Sequence, residues 1–217
     1  FTAQGYATHD LHRVALVRYR GTHERLVLIA RMSLFGAGAT RLHDSLVHLV
    51  AELRGEAPPI PLDNERSIAD TLAGMRAGLA AHADWQPAQA FVARHRQRLA
   101  QDLALLWPKL EREAKQEALE LTRLLDDRGA REAEQLVHIL TNQQHKIATT
   151  LASLPDELAG NDPVARQRRL DRKHMLERRD ALGRELELEP PRLRAHYRVA
   201  SQRIEAVGLV YLIPETR

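Results

Sequence analysis

The chain contains no cysteine, which excludes disulfide bonds and thiolate metal sites. Aromatic residues make up only 4% of its 217 residues, a low share for a protein built mainly of β-strands. No apolar run approaches the roughly 18 residues of a transmembrane helix, and the N-terminus has no signal-peptide pattern. These absences fit a reducing compartment, and we expect a cytoplasmic location with no membrane partner.

Charged residues are abundant, at 28%, but the two signs nearly balance. The 32 basic and 29 acidic residues leave a formal net charge of +3. So small a surplus does not indicate nucleic-acid binding by itself, and such a function would have to come from a local cluster. Since the first residue is Phe1 rather than methionine, we expect the chain to be a piece of a longer protein.

The longest regular stretch runs from Trp85 to Leu154 and consists mainly of strong helix formers. Its apolar residues recur mostly at steps of three, four and seven, which is typical of a helix with one apolar stripe. From Pro108 onward such a helix would be roughly 70 Å long, at about 1.5 Å per residue. A single stripe needs one partner, so we predict an antiparallel helix pair. Pro108 is expected to kink or divide the helix because it lacks the amide donor.

Segments rich in β-forming residues lie at both ends of the chain. Leu11–Arg20 and Arg25–Phe35 predict an antiparallel hairpin. Arg203–Ile213 carries six apolar residues around Gly208, the pattern of a buried central strand. The simplest closure pairs this last strand with the first hairpin in one small sheet.

Helices are predicted between these strands. Thr40–Arg54 has leucines at helical spacing, and Asn64 is placed to cap the following helix. Pro163 after Asp162 indicates the start of a further helix, the partner of the long one. We expect this partner to end near Glu187, where Pro190 and Pro191 interrupt it, with a short helix after them.

The expected fold is therefore α+β and mostly α. It has a small antiparallel sheet, made of the N-terminal hairpin plus the C-terminal strand, with helices packed on it and a projecting long antiparallel coiled-coil arm. We divide the chain into residues 1–84, the hairpin and two packing helices; residues 85–188, the arm; and residues 189–217, the short helix and the returning strand.

A basic cluster in the second arm helix is the candidate binding site. Between Arg166 and Arg184 the sequence has eight basic and three acidic residues. One side of such a helix could contact DNA phosphates while another side packs. The structural interpretation is pairing with the mildly acidic segment Lys109–Gln135, and the two are compatible. The candidate DNA-binding residues are Arg166, Arg168, Arg169, Arg172, Lys173, Arg178 and Arg179.

Other motifs point to no catalytic residue and no metal ligand. Phe35–Thr40 is glycine-rich, as phosphate loops are, but it lacks the Gly-Lys-Ser/Thr sequence of such a loop. A tight strand-to-helix turn is favoured. His138 and His145 would share a helix face, yet no histidine-and-carboxylate set has metal-site spacing. An independent enzyme is therefore the least favoured function class.

Two segments carry a resemblance to a known family. The first is Arg31-Met-Ser-Leu-Phe-Gly-Ala-Gly-Ala-Thr-Arg-Leu-His43; the second is Tyr197-Arg-Val199 followed by Arg203–Pro214. Together they resemble the C-terminal region of the large SWI/SNF-type helicases of the DISARM anti-phage defence system of bacteria. The Arg- and Glu-rich helices between them also look like that region.

The resemblance implies an upstream ATP-driven DNA translocase motor in the same chain, and ATP and magnesium are expected for that motor only. It implies no catalytic residue and no cofactor in this piece. The implied role is an accessory domain that grips duplex DNA without reading sequence, or docks subunits of the defence complex. The alternative is a coiled-coil module for protein–protein interaction or dimerisation without DNA binding.

Overall fold

The computed structural model describes residues 13–82, 84–154 and 163–215. It confirms an α+β fold that is mostly α, with one small sheet and one very long helix. From the sequence we expect a loop over residues 1–10 and a turn after Leu154, and both segments lie outside the described residues. In chain order the elements are β1 (Val14–Tyr19), β2 (Arg25–Phe35), β3 (Arg41–Glu52), β4 (Ile60–Pro61), α1 (Glu65–Ala81), α2 (Gln89–Ser153), α3 (Pro163–Tyr197) and β5 (Ser201–Pro214).

The sheet has the strand order β1-β5-β2-β3-β4, and it is mixed rather than antiparallel. The predicted β1–β2 hairpin is wrong, because β5 lies between these strands and pairs parallel to β1 and antiparallel to β2. The hairpin is formed by β2 and β3 instead. The buried central position predicted for the last strand is confirmed, since its apolar residues have a neighbour on both sides.

The helix predicted at Thr40–Arg54 is also wrong, since this segment forms strand β3. Its leucines are spaced by four, three and four residues, which imitates a helix. From Val47 to Ala51 the strand is buried except at His48, because both faces of the sheet are covered there. A strand covered on both faces loses the alternation that identifies strands in sequence.

Helices cover the two faces of the sheet. Val27, Val50 and Leu212 form a core cluster on one face, and Ile68, Leu72 and Met75 of α1 pack against it. The other face carries the alternate side chains and is covered by α2, as shown by the bond from Tyr211 to Asp102. Asn64 caps α1 as predicted, because its side chain accepts from Ser67 N–H at 2.9 Å.

Prolines do not divide the helices. Pro108 lies inside α2, which runs unbroken from Gln89 to Ser153. The residues around it, Leu103, Leu106, Trp107 and Leu110, are all buried, and this packing offsets the lost hydrogen bond. The interruption predicted at Pro190 and Pro191 is wrong as well, because α3 continues through them to Tyr197 and Pro190 is buried.

The chain forms two compact units. The sheet unit comprises the described residues up to Phe35, Arg41–Glu120 and the residues from Ser201 onward. The helical unit comprises Gly36–Thr40 and Leu121–Ala200, and so contains the second part of α2 and all of α3. None of the described helices offers the apolar stretch that a bilayer-spanning segment requires.

Candidate nucleic-acid interface

The antiparallel pairing of α2 with α3 is fixed by contacts at two levels of the helical unit. At one level Tyr197 donates a hydrogen bond to Glu132 at 2.7 Å. At the other, a Cβ placed on Gly183 would lie 4.0 Å from Gln144 Nε2. Residue numbers thus rise along α2 as they fall along α3, which confirms the predicted antiparallel direction.

Tyr197 is the centre of a small polar cluster that holds this register. Glu132 also accepts from Arg128 Nε at 2.8 Å, and the Arg128 guanidinium lies over the Tyr197 ring, 5.3 Å from its centroid. The hydrogen bond from Tyr197 lowers the pKa of Glu132, and the same bond raises the pKa of Tyr197. Gly129 makes room for the ring, because a Cβ there would lie 2.9 Å from Tyr197 Cβ.

The candidate DNA-binding residues occupy the first half of α3 and divide between two sides of the helix. Arg166, Arg169 and Lys173 are spaced by three and four residues, share one side, and are all exposed. Arg168, Arg172 and Arg179 lie on the side that continues into buried Leu182, and the last two are half-buried. The structure therefore brings three of the seven together on an exposed side.

Three of the basic residues have ion pairs within α3 itself. Lys173 Nζ lies 3.8 Å from Glu177, and Arg179 lies 3.2 Å from Asp180. Arg178 donates to both carboxylate oxygens of Glu185, at 2.5 and 3.3 Å. Exposed pairs of this kind contribute at most about 1 kcal/mol and are screened by salt. Because these ion pairs are weak, Lys173, Arg178 and Arg179 can exchange a carboxylate partner for a phosphate.

The register also decides which part of α2 lies beside the basic cluster. Counting equal numbers of residues from the Gly183–Gln144 contact, α2 reaches its last residue, Ser153, opposite His174 of α3. Arg166 and Arg169 therefore lie beyond that end of α2. The α2 sequence from Gln135 to Ser153 contains no aspartate or glutamate. In the helical unit the acidic residues of α2 come earlier, and Glu132 lies at the Tyr197 end of α3. The interpretation that the basic cluster is neutralised by the acidic segment of α2 is therefore not supported in this unit.

The glycine-rich segment Phe35–Thr40 connects β2 to β3 through a short 3-10 turn at Ala37–Ala39. Gly36 N–H donates to the Thr40 carbonyl at 2.8 Å, and Gly38 has a φ of 64°. A phosphate loop is followed by the N-terminus of a helix, whereas this segment is followed by strand β3. The expected strand-to-helix turn is thus a strand-to-strand turn, and its amides are not backed by a helix dipole.

Sequence reasoning missed a buried polar network in the sheet unit. Asp102 accepts hydrogen bonds from Tyr211 Oη and from Arg98 Nε, both at 2.8 Å. Arg98 also donates to the carbonyls of Gly55 and Ala57, at 2.6 and 3.2 Å. The spacing of Arg98 and Asp102, four residues on a helix, was the available signal. Arg98 thereby ties the β3–β4 connection to α2.

His95 stacks at the edge of this network. Its ring centroid lies 4.7 Å from that of Tyr211, and its Nδ1 is 2.9 Å from the Phe91 carbonyl. Burial lowers the pKa of His95 and raises the pKa of Tyr211, so both side chains stay neutral near pH 7. An open hollow of about 300 Å³ adjoins the network, lined by Arg94 and Gln97 among others. A network closed on its own partners anchors a helix and presents no activated nucleophile.

Within the described residues, no three histidine, aspartate or glutamate side chains come together as a metal site. His138 contacts Asn142 at 3.0 Å on an exposed helix surface. Comparison with known proteins found no match among protein-family models, curated protein sequences or solved structures.

Proposed function

We propose that this chain is the C-terminal accessory domain of a bacterial SWI/SNF-type ATP-dependent DNA translocase of anti-phage defence, and that it contributes sequence-independent contacts to DNA. The family assignment rests on the two segments that resemble the DISARM helicases. The motor upstream would bind ATP and magnesium, and the site of action would be the cytoplasm. This chain would supply grip on the duplex and no catalytic group.

One observation carries the DNA contact. Arg166, Arg169 and Lys173 form an exposed basic side of α3, at and beyond the level where α2 ends. Arginine and lysine at this spacing can each contact a phosphate, and none needs to reach a base edge. Binding should therefore tolerate any sequence and weaken steeply with salt, because each phosphate contact releases condensed counterions.

The test is an anisotropy titration of a fluorescent duplex of arbitrary sequence at several salt concentrations. The variant Arg166→Glu/Arg169→Glu/Lys173→Glu should bind roughly tenfold more weakly or worse at low salt. The slope of the logarithm of affinity against the logarithm of salt concentration should shrink by about two to three units, since three phosphate contacts are lost.

The matched control is Arg66→Glu/Arg76→Glu/Arg112→Glu. These three arginines are also exposed, and they lie on α1 and the first part of α2, in the sheet unit. Both triple variants change the net charge equally, so only a local contact separates them. Equal losses in the two variants, or no binding by the unchanged chain at low salt, would refute the proposed interface.

The docking alternative predicts an exposed apolar stripe on the arm. The exposed large apolar residues of α2 in the helical unit are Leu124, Val137 and Ile139. Their steps of 13 and two residues place them on different sides of a helix with 3.6 residues per turn. In α3 the exposed large apolar residues are Val164, Leu170 and Leu188; the first two lie on different sides, and Leu188 is five turns beyond Leu170. Neither of these described sets forms a continuous stripe, and we favour DNA contact for this unit.

A further inference from the structure

The outer edge of β3 is covered over only a short part of its length. β4 pairs with Ala51 and Glu52, and Leu62 N–H donates to the Val50 carbonyl at 2.8 Å. Backbone groups alternate between the two sides of a strand, so the bond at Val50 identifies the residues whose amide and carbonyl point outward. Within the regularly paired part of β3 these residues are Asp44, Leu46 and His48, and no described residue hydrogen-bonds to their backbone groups.

This edge has little of the protection that natural edge strands carry. Such strands are usually guarded by lysine, proline or a bulge; β3 has a bulge at Leu42, and the stretch from His43 to Leu49 contains no lysine and no proline. From His43 to Leu49 the pairing of β3 with β2 is regular. Its one carboxylate, Asp44, is held by Arg31 Nε at 2.8 Å and by Ser33 Oγ at 2.9 Å. Leu46 is 64% exposed, more than any other large apolar side chain described.

The edge is complementary to itself in one antiparallel register. When Leu46 faces Leu46 of a second copy, Asp44 of each chain lies opposite His48 of the other. The centre then buries two leucines against each other, and each flank joins a carboxylate to an imidazole that can donate to it. If Ser45 faced Ser45 instead, Asp44 would lie opposite Leu46 of the other chain. Both the leucine pair and the Asp44–His48 pairs would then be lost.

We propose that β3 pairs with β3 of a second copy of this chain, antiparallel and centred on Leu46, so that two five-stranded sheets become one. The pairing is confined to residues before Val50, because Leu62 and β4 occupy the edge from there onward. The partner is a second copy because the edge offers an apolar centre and two flanks of opposite character at equal distance from it.

The absence of cysteine from the chain makes the test simple. In a hydrogen-bonded antiparallel pair, opposite Cα atoms lie about 5.5 Å apart, within the range that a disulfide can bridge. Leu46→Cys in the full chain should therefore form a covalent dimer under mild oxidation. Leu79→Cys is the matched control, since Leu79 is 50% exposed on α1, away from the edge, and should stay largely monomeric.

Two further variants test the surface and the register. Leu46→Lys should shift the unmodified dimer to monomer in sedimentation equilibrium, while circular dichroism shows an unchanged fold, because the side chain is exposed. Ser45→Cys should cross-link less than Leu46→Cys, because Ser45 faces Val47 of the partner. A chain that stays monomeric at high micromolar concentration, a Leu46→Cys yield no higher than that of Leu79→Cys, or a Ser45→Cys yield as high as that of Leu46→Cys would overturn the proposal.

Discussion

The sheet unit and the helical unit bury their side chains in different ways. Of the twelve largest fully buried side chains described, eleven belong to the sheet unit and only Leu182 belongs to the helical unit. A sheet covered by a helix on each face encloses a core between layers. Two paired helices share one seam, and most of their surface stays in water. The first arrangement suits a scaffold, and the second suits a surface for a charged ligand.

The two units also differ in where their polar groups lie. The sheet unit buries Asp102, Tyr211 and most of Arg98 in one hydrogen-bonded network. The helical unit keeps its ion pairs on the outside, where partners can be exchanged. Buried networks are costly to break, whereas exposed pairs contribute little to stability. Substitutions in the two units should therefore have unequal effects.

The largest effect is expected for Asp102→Ala in the sheet unit. The substitution leaves the Arg98 guanidinium buried without its carboxylate and removes the acceptor of Tyr211. It should lower the free energy of unfolding by about 3–5 kcal/mol, measured by denaturant titration. Tyr211→Phe is the matched control, because Asp102 keeps Arg98, and it should cost only about 0.5–1.5 kcal/mol. Equal losses of unfolding free energy in the two variants would show that the Arg98–Asp102 ion pair is not what stabilises the network.

A second pair of variants compares the two cores directly. Leu28→Ala in β2 and Leu182→Ala in α3 each remove a side chain with no exposed surface. Such truncations lower the free energy of unfolding by about 2–5 kcal/mol. We expect Leu28→Ala near the upper end of this range and Leu182→Ala near the lower end, because a two-helix seam can close around the gap. Amide hydrogen exchange should show faster opening across α3 for Leu182→Ala, and opening of the whole sheet for Leu28→Ala. Faster exchange across the sheet unit in Leu182→Ala would contradict this separation of effects.

The smallest expected effect is a pH dependence of stability that arises from His95 in the core of the sheet unit. Burial lowers the pKa of His95 in the folded protein, so the unfolded chain binds a proton first as pH falls. The stabilising contribution is present above the ordinary histidine pKa of about 6.5 and is lost as pH falls from there toward the lowered value. His95→Phe should flatten the loss of stability between pH 6.5 and 5, measured by thermal melts. An unchanged pH profile would show that another group causes the loss.

Much of the fold could be predicted from local pattern. Signals within a few residues of sequence identify four features: the long helix, the cap at Asn64, the helix beginning at Pro163 and the buried last strand. β3 could not be predicted in this way, because a strand covered on both faces shows no alternation. The unbroken passage of α2 through Pro108 also escaped, since the lost hydrogen bond is offset by packing against a sheet distant in sequence.

Local sequence patterns were enough to predict the fold class and the antiparallel helix pair, and they locate the basic cluster between Arg166 and Arg184. The strand order follows from long-range packing instead, because the strands have no local signal for their partners and the helices that cover the two faces are distant in sequence. The tertiary structure also places Arg166, Arg169 and Lys173 on one exposed side of α3, at and beyond the end of α2. That placement depends on the register between α2 and α3, which Gly129, Glu132 and Tyr197 fix through contacts between residues far apart in the chain.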